Sequence, residues 1–215
     1  MHVELIAVTR YLLDNDSEAA GPESLIEHAG RVCYRSQSRG DPAAFLRARL
    51  REGHESIIEH ASATFEISGI SRACTHQLVR HRLASYSQES QRYVDMSDPE
   101  LVVPDSIAEN PEALEAWSDL VAHVQATYRA LRAQNVRKED ARFVLPNATA
   151  SRIVVTMNFR EYLHFFRLRI SPAAQWEIRR MALTMLKKLV PHGPTIFGDF
   201  LADIRERYPA FFDAS

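Results

Sequence analysis

Two periods of hydrophobicity divide the chain. Between Ala61 and Ile67, the residues Ala61, Ala63, Phe65 and Ile67 alternate with Ser62, Thr64 and Glu66, which is the period of a half-buried strand. His2 to Val8 alternates more loosely, and Ser151 to Met157 is rich in β-branched residues, so both read as further strands. Glu112 to Arg132 follows the other period: Leu114, Trp117, Val121, Val124, Tyr128 and Leu131 recur every three or four residues, predicting one long amphipathic helix. Leu25, Ala29 and Val32 have the same spacing within Pro22 to Arg35 and predict a helix with Val32 and Cys33 towards the core.

Turn and cap residues set the other boundaries. Asp41 before Pro42 is an N-cap followed by a first-turn proline, opening a helix that Gly53 closes. Ser71 caps a helix expected to run through Arg82, and the polar stretch Ser85 to Tyr93 is expected to be a loop. A short helix before Pro146 carries Arg142. Asn158 and Glu161 are spaced as a capping pair for a helix reaching about Arg169, and Ser171-Pro172 is expected to start another. No repeat, low-complexity tract or linker interrupts these elements. The expectation is a single α+β domain, 1–215, with a central, mainly antiparallel sheet flanked by long helices.

Composition narrows the chemistry. With 215 residues, 46% of them hydrophobic, the chain can bury a core of its own. It has no apolar run near the roughly 18 residues of a membrane span and no basic leader before an apolar stretch, so no membrane partner and a cytoplasmic location are expected. Cys33 and Cys74 have no C-x-x-C neighbour and are expected to be reduced and buried. Net charge is -2, yet Lys138, Lys187 and Lys188 are the only lysines. Arginine forks suit phosphorylated ligands, although genomic base composition produces the same bias. The scattered glycines build neither G-x-G-x-x-G nor a P-loop, leaving arginines, hydroxyls and helix ends to hold any phosphate.

Candidate chemistry gathers in two places. On the helix expected to run through Arg82, Gln77, Arg80 and His81 share an arc beside the Cys74/Leu78 stripe. The stretch Ser85-Tyr86-Ser87-Gln88-Glu89-Ser90-Gln91-Arg92-Tyr93 after it supplies hydroxyls, amides and a guanidinium. On the helix after Asn158, Phe159, Tyr162, Leu163, Phe165, Phe166 and Ile170 define an apolar arc with Arg169 in its middle. A buried unpaired guanidinium is costly, so Arg169 needs an anionic or strongly accepting partner, unless the helix ends early and releases it to solvent. Arg160 and His164 lie four apart on the opposite, polar face.

Arg80-His81-Arg82, followed after seven residues by Ser90 within RHRLASYSQESQRY, resembles the signature of flavin-dependent thymidylate synthases. GHESIIEH at Gly53 to His60, ARFVLP, TMNFREYLHFFRLR and AQWEIR are similar to further blocks of that family, so the resemblance covers nearly the whole chain. It implies reductive methylation of deoxyuridine monophosphate (dUMP) to dTMP, with 5,10-methylenetetrahydrofolate as carbon donor and FAD reduced by NADPH as hydride source. Carried over by position, Ser56, Arg80, His81, Arg82, Gln88, Asn158, Arg160 and His164 would contact the flavin, with His54 and Glu59 nearby. Gln77, Arg80, Gln88, Glu89, Ser90, Gln91, Arg92, Arg142 and Arg169 would hold the nucleotide. The family implies a homotetramer with shared active sites. Gln88 stands where some members have glutamate, and Ala173 where several have histidine.

For the reaction, Arg169 is the candidate catalytic residue, stabilising negative charge on the uracil ring. Neither cysteine has a visible activating partner, and Ser90 is assigned to nucleotide binding. Two other classes compete. Arg80, Arg82 and Arg92 interleave with Tyr86 and Tyr93 as in a nucleic-acid-binding module, but the slight net acidity argues against a nucleic-acid partner. His54, Glu59, His60, His76 and His81 cluster in sequence, but fit no H-E-x-x-H metal helix, and no metal is expected.

Overall fold

A computed structural model describes residues 1–13, 21–36 and 41–213. The first half of the chain forms β1 (His2–Val8), α1 (Pro22–Tyr34), α2 (Pro42–Arg51), a 3-10 turn (Glu55–His60), β2 (Ser62–Ser71), α3 (Arg72–Leu78) and β3 (Ala84–Gln88). There follow α4 (Asp105–Ala108), α5 (Pro111–Ala133), α6 (Lys138–Ala141), β4 (Ala150–Asn158), α7 (Phe159–Arg169), α8 (Trp176–Leu189), α9 (Pro194–Arg207) and α10 (Pro209–Asp213). Short 3-10 turns occupy Arg142–Val144 and Val190–His192. Among the described residues the strands form one sheet in the order β1-β2-β4-β3. Opposite ends meet at each pairing: Thr9 N–H reaches the Ser62 carbonyl, Arg72 N–H that of Thr149, and Glu89 N–H that of Arg152. The sheet is therefore antiparallel, and the α+β class expected above is the one adopted. No helix among the described residues is long and apolar enough to cross a membrane.

The chain gathers into two compact units. One comprises residues 1–2, 67–80 and 86–154; the other comprises 3–66, 81–85 and 155–215. In the first, Tyr128 of α5 is fully buried with Met96 and Ala141, and Leu131, Val136, Val144 and Leu145 pack round them. The Tyr128 hydroxyl accepts from Met96 N–H at 3.3 Å. Of the stripe expected on this helix, Val124 and Tyr128 are buried while Leu114, nearer its start, is exposed.

The second unit is built round α7. Asn158 Oδ1 accepts from Glu161 N–H at 2.9 Å, capping the helix where the sequence placed its start. Its residues Phe159, Tyr162, Phe165 and Phe166 are fully buried, as are Phe65 of β2 and Phe197 of α9. Phe65 and Tyr162 meet edge to face at 5.7 Å, as do Phe159 and Phe197 at 5.0 Å, a geometry that adds about 0.5–1.5 kcal/mol per pair beyond area burial. The Tyr162 hydroxyl donates to the Ala63 carbonyl at 3.1 Å. α9 has no side-chain cap from its own N-cap residue. Glu23, from the first turn of α1, takes that place: its carboxylate accepts from Thr195 N–H at 2.7 Å, Ile196 N–H at 3.1 Å and the Thr195 hydroxyl at 2.8 Å. Negative charge at a helix N-terminus also opposes the helix dipole.

Four sequence expectations need correction. The helix capped by Ser71 stops at Leu78 instead of reaching Arg82, because Tyr86 Oη donates to the Leu78 carbonyl at 2.9 Å and Arg80 N–H folds back on Gln77, satisfying terminal carbonyls. Ser85 to Tyr93 is not all loop. Ala84, Tyr86 and Gln88 are half-buried while Ser85 and Ser87 face out, so β3 is a polar edge strand. On α1 the inward residues are Pro22, Ile26 and Gly30, which turns Val32 and Cys33 outward. The cause is Gly30, where a Cβ would lie 2.9 Å from the Phe45 ring, so α2 packs on the glycine. Of the two thiols, only Cys74 is buried. Finally, Ser171-Pro172 forms a turn, with Ser171 Oγ accepting from Ala173 N–H. α8 begins later, capped by Gln175 Oε1 on Glu177 and Ile178 N–H.

Two stability predictions follow from this packing. Phe166→Ala is expected to cost about 3–5 kcal/mol, while Leu168→Ala, exposed on the same helix, stays within about 0.5 kcal/mol. Urea unfolding followed by circular dichroism distinguishes them, and equal losses would contradict the burial of α7. By the same measurement Glu23→Ala loses about 1–2 kcal/mol, and Glu23→Gln, which keeps one acceptor, loses less. A neutral Glu23→Ala would show that α9 is capped another way.

Candidate active site

On α7, positions 161, 165 and 169 are successive fours and share one face. All three meet His81, which is 4% exposed. Arg169 Nε–H donates to His81 Nε2 at 3.0 Å. The Phe165 ring stands edge-on to the imidazole at 5.0 Å, and Glu161 Oε1 lies 3.4 Å from His81 Nδ1. A ring nitrogen that accepts from a guanidinium carries no proton, so the proton of the neutral imidazole sits on Nδ1, facing Glu161. Burial, then the charges of Arg169 and His164, push the His81 pKa from 6.5 down to about 4. Burial pushes the Glu161 carboxyl up. Arg169 is half-buried and thus has the strongly accepting partner that its place in the apolar arc demanded. The partner of its Nε–H is an imidazole.

The other flavin candidates of this unit are more exposed. The His164 ring approaches that of His81 at 5.8 Å. Arg160, on the polar face as expected, is bound by Glu59 Oε1 at 2.5 Å and Glu55 Oε2 at 3.6 Å, and Arg167 shares Glu55. Hydrogen bonding to Glu59 holds the Arg160 pKa above its ordinary value. Ser56 is exposed on the 3-10 turn, Arg82 is exposed just past His81, and Asn158 Oδ1 is occupied by the α7 cap. His54 Nδ1 pairs with the Tyr34 hydroxyl at 2.6 Å.

The remaining candidates belong to the first unit. Gln77 lies in the last turn of α3, and Arg80 is exposed beyond it. Gln88 Nε2 donates to Ser151 Oγ at 3.2 Å, and Ser90 Oγ accepts from Arg92 N–H at 3.3 Å. Gln91 is buried. The Arg92 guanidinium is bound by Glu139 at 3.0 Å, and Arg142 Nε donates to the Glu139 carbonyl at 3.1 Å. Arg72 joins them. Its pKa is lowered, first by burial and then by the charge of Arg142, with Glu89 acting in the opposite sense. Arg72 and Arg142 are thus two half-buried guanidiniums that repel each other.

Sequence reading therefore missed Glu161 and Arg72. Glu161 carries a usable signal, since it heads the 161/165/169 stripe, but its spacing from Asn158 reads equally as that of a helix-capping residue. Arg72 lies next to the capping serine and had no sequence signal beyond its charge. Among the described residues, no three His, Cys, Asp or Glu side chains group to hold a metal ion.

Comparison with known proteins agrees with the motif. The family described as thymidylate synthase complementing protein matches residues 12–195. A flavin-dependent thymidylate synthase of Mycobacterium marinum is 42% identical over 93% of this chain and 90% of its own length. One from Mycobacteroides abscessus is 41% identical with the same coverage, and one from Geobacter sulfurreducens is 47% identical over 83% of this chain and 82% of its own. With the Arg80-His81-Arg82 motif set in a fold whose α7 carries the Arg169 guanidinium, these matches show that the chain belongs to the flavin-dependent thymidylate synthase family.

Proposed function

We propose that the chain works as a single catalytic domain that methylates dUMP to dTMP, taking the carbon from 5,10-methylenetetrahydrofolate and the hydride from FAD reduced by NADPH. The observation that carries this reading is the Arg169–His81 hydrogen bond, which ties the centre of the family motif to the guanidinium assigned to the nucleotide. The proposal includes a cytoplasmic homotetramer with shared active sites.

The donor set suits FAD. A flavin dinucleotide presents a diphosphate and ring carbonyls, and Arg80, Arg82, Arg160, His164 and Ser56 offer cations and a hydroxyl at exposed positions. His81, Gln88 and Asn158 complete the set proposed for it. Arg160 is already paired with Glu55 and Glu59, so binding phosphate there exchanges a carboxylate for another anion. When bound, the flavin supplies the hydride-transfer chemistry that side chains lack.

The nucleotide is assigned to Gln77, Arg80, Gln88, Glu89, Ser90, Gln91, Arg92, Arg142 and Arg169, with Arg72 added beside Arg142. Arg72, Arg92 and Arg142 suit the phosphate, and Ser90 positions it. Arg169 faces the O2/N3 edge of the uracil and stabilises the charge that develops as C5 becomes nucleophilic. No nucleophilic role falls to a cysteine: the Cys33 thiol is exposed and turned to the Ala29 carbonyl, and Cys74 is buried.

Arg169→Ala is expected to lower turnover by about 100-fold or more while the purified protein keeps its yellow flavin absorbance and its anaerobic bleaching by NADPH. Unchanged dTMP formation would overturn the role of Arg169. Failure of the wild type to form dTMP would overturn the reaction.

The site also predicts a pH dependence. Folding holds the His81 pKa at about 4, below the ordinary 6.5. Its contribution to stability is therefore complete above about 6.5 and is lost as pH falls towards 4. Glu161, shifted upward by burial, works in the opposite sense, but it is present in both proteins if wild type is compared with His81→Asn. The wild type is expected to lose unfolding free energy faster than His81→Asn between pH 6.5 and 4. Parallel curves would show that His81 is not buried in its neutral form.

A further inference from the structure

Glu161 is a 6% exposed carboxylate in the first turn of α7, and none of the roles assigned so far uses its side chain. It does not cap its own helix, since that bond runs from Glu161 N–H to Asn158. Its Oε1 lies 3.4 Å from His81 Nδ1, two helical turns from the Arg169 guanidinium that takes Nε2.

We propose that Glu161 is a positioning residue for Arg169: it fixes His81 as the Nδ1–H tautomer, leaving Nε2 to accept from Arg169 Nε–H and so setting the direction of the guanidinium. An imidazole has one proton for two nitrogens, and the bond made by one nitrogen decides the state of the other. Histidine in water favours the proton on Nε2. With that tautomer, Nε2–H would confront Arg169 Nε–H, donor against donor, and the guanidinium would turn away. A carboxylate at Nδ1 removes this alternative by accepting the proton there. Phe165, edge-on to the ring between the two contacts, limits ring rotation. The groups facing His81 from α7 are thus Glu161, His164 and Arg169, while Arg80 and Arg82 flank it in the chain. Burial of the carboxylate strengthens its hold on the proton donor, because an oxygen removed from water needs that bond more. The value of the arrangement to catalysis rests on the reading of Arg169 given above. The tautomer itself does not.

The test uses the flavin-loaded protein with nitrogen-labelled histidine, the His81 signals being assigned with His81→Asn. Near neutral pH the wild type is expected to show His81 protonated on Nδ1. Glu161→Ala should move the proton to Nε2 and lower kcat by about 10-fold, the scale of losing a group that orients a functional side chain, with flavin content kept. Glu161→Leu, which fills the volume without an acceptor, gives the same readout if the alanine variant does not fold. Glu161→Gln, whose carbonyl oxygen can still accept from Nδ1–H, should restore both tautomer and kcat. A wild-type His81 protonated on Nε2, or a tautomer unchanged in both Glu161→Ala and Glu161→Leu, overturns the proposal. So does a kcat that falls equally in Glu161→Gln and Glu161→Ala. If the wild type forms no dTMP, the proposed reaction fails, and the tautomer shift alone then decides whether Glu161 sets the Arg169 contact.

Discussion

The burial of the aromatic face of α7 is the constraint on which the rest of the second unit depends. β4 ends at Asn158 and α7 starts at Phe159 with no linker, so one residue closes the strand and caps the helix. Phe159 N–H pairs with the Ala61 carbonyl at the entrance to β2, and Tyr162 reaches the Ala63 carbonyl from the first turn. Side chains on a strand alternate between faces, so a slip of β2 by one residue would turn Phe65 away from Tyr162. The rotation of α7 about its axis is therefore set by its core. With that rotation set, positions 161, 165 and 169 have little choice but to share the face at which His81 arrives.

This division of labour explains why a helix so rich in buried aromatics also carries three arginines and a histidine, at Arg160, Arg167, Arg169 and His164. Arg160, His164 and Arg167 lie on the exposed side, where Glu55 and Glu59 meet the arginines. Such exposed ion pairs contribute little to stability, so they are easily given up to a stronger anion. Arg169 stands at the margin, neither released to water nor left without an acceptor.

Features governed by local chemistry were legible in the sequence. The strand at Phe65, the Asn158 cap, the long α5 and the apolar arc of α7 all followed from period and capping. The features that were not legible depend on residues distant in the chain. α3 looked long enough to include Arg82, because nothing nearby said that Tyr86 would take the Leu78 carbonyl. The inward face of α1 was misplaced by hydrophobicity alone, since Gly30 has no side chain to score and is buried for that very reason. Cys33 followed it into error. For the candidate site, the need of Arg169 for an acceptor was readable, but the identity of that acceptor, 88 residues away, was not. β3 was missed because an edge strand needs only one apolar face, and here even that face is tyrosine, alanine and glutamine.

The choice of a neutral imidazole as partner for Arg169 has an electrostatic meaning. A carboxylate in the place of His81 Nε2 would orient the guanidinium equally well and would cancel most of its field. An imidazole that accepts the Nε hydrogen bond orients it and adds no opposing charge of its own. The negative charge of Glu161 is set back by the width of the ring, where it stabilises the tautomer more than it screens the arginine. Burial of His81 then prevents the imidazole from becoming a second cation near neutral pH, which would push Arg169 away. An arginine held in this manner is directed yet still positive, and a positive group already in place as charge develops on a ring lowers the barrier without having to reorganise.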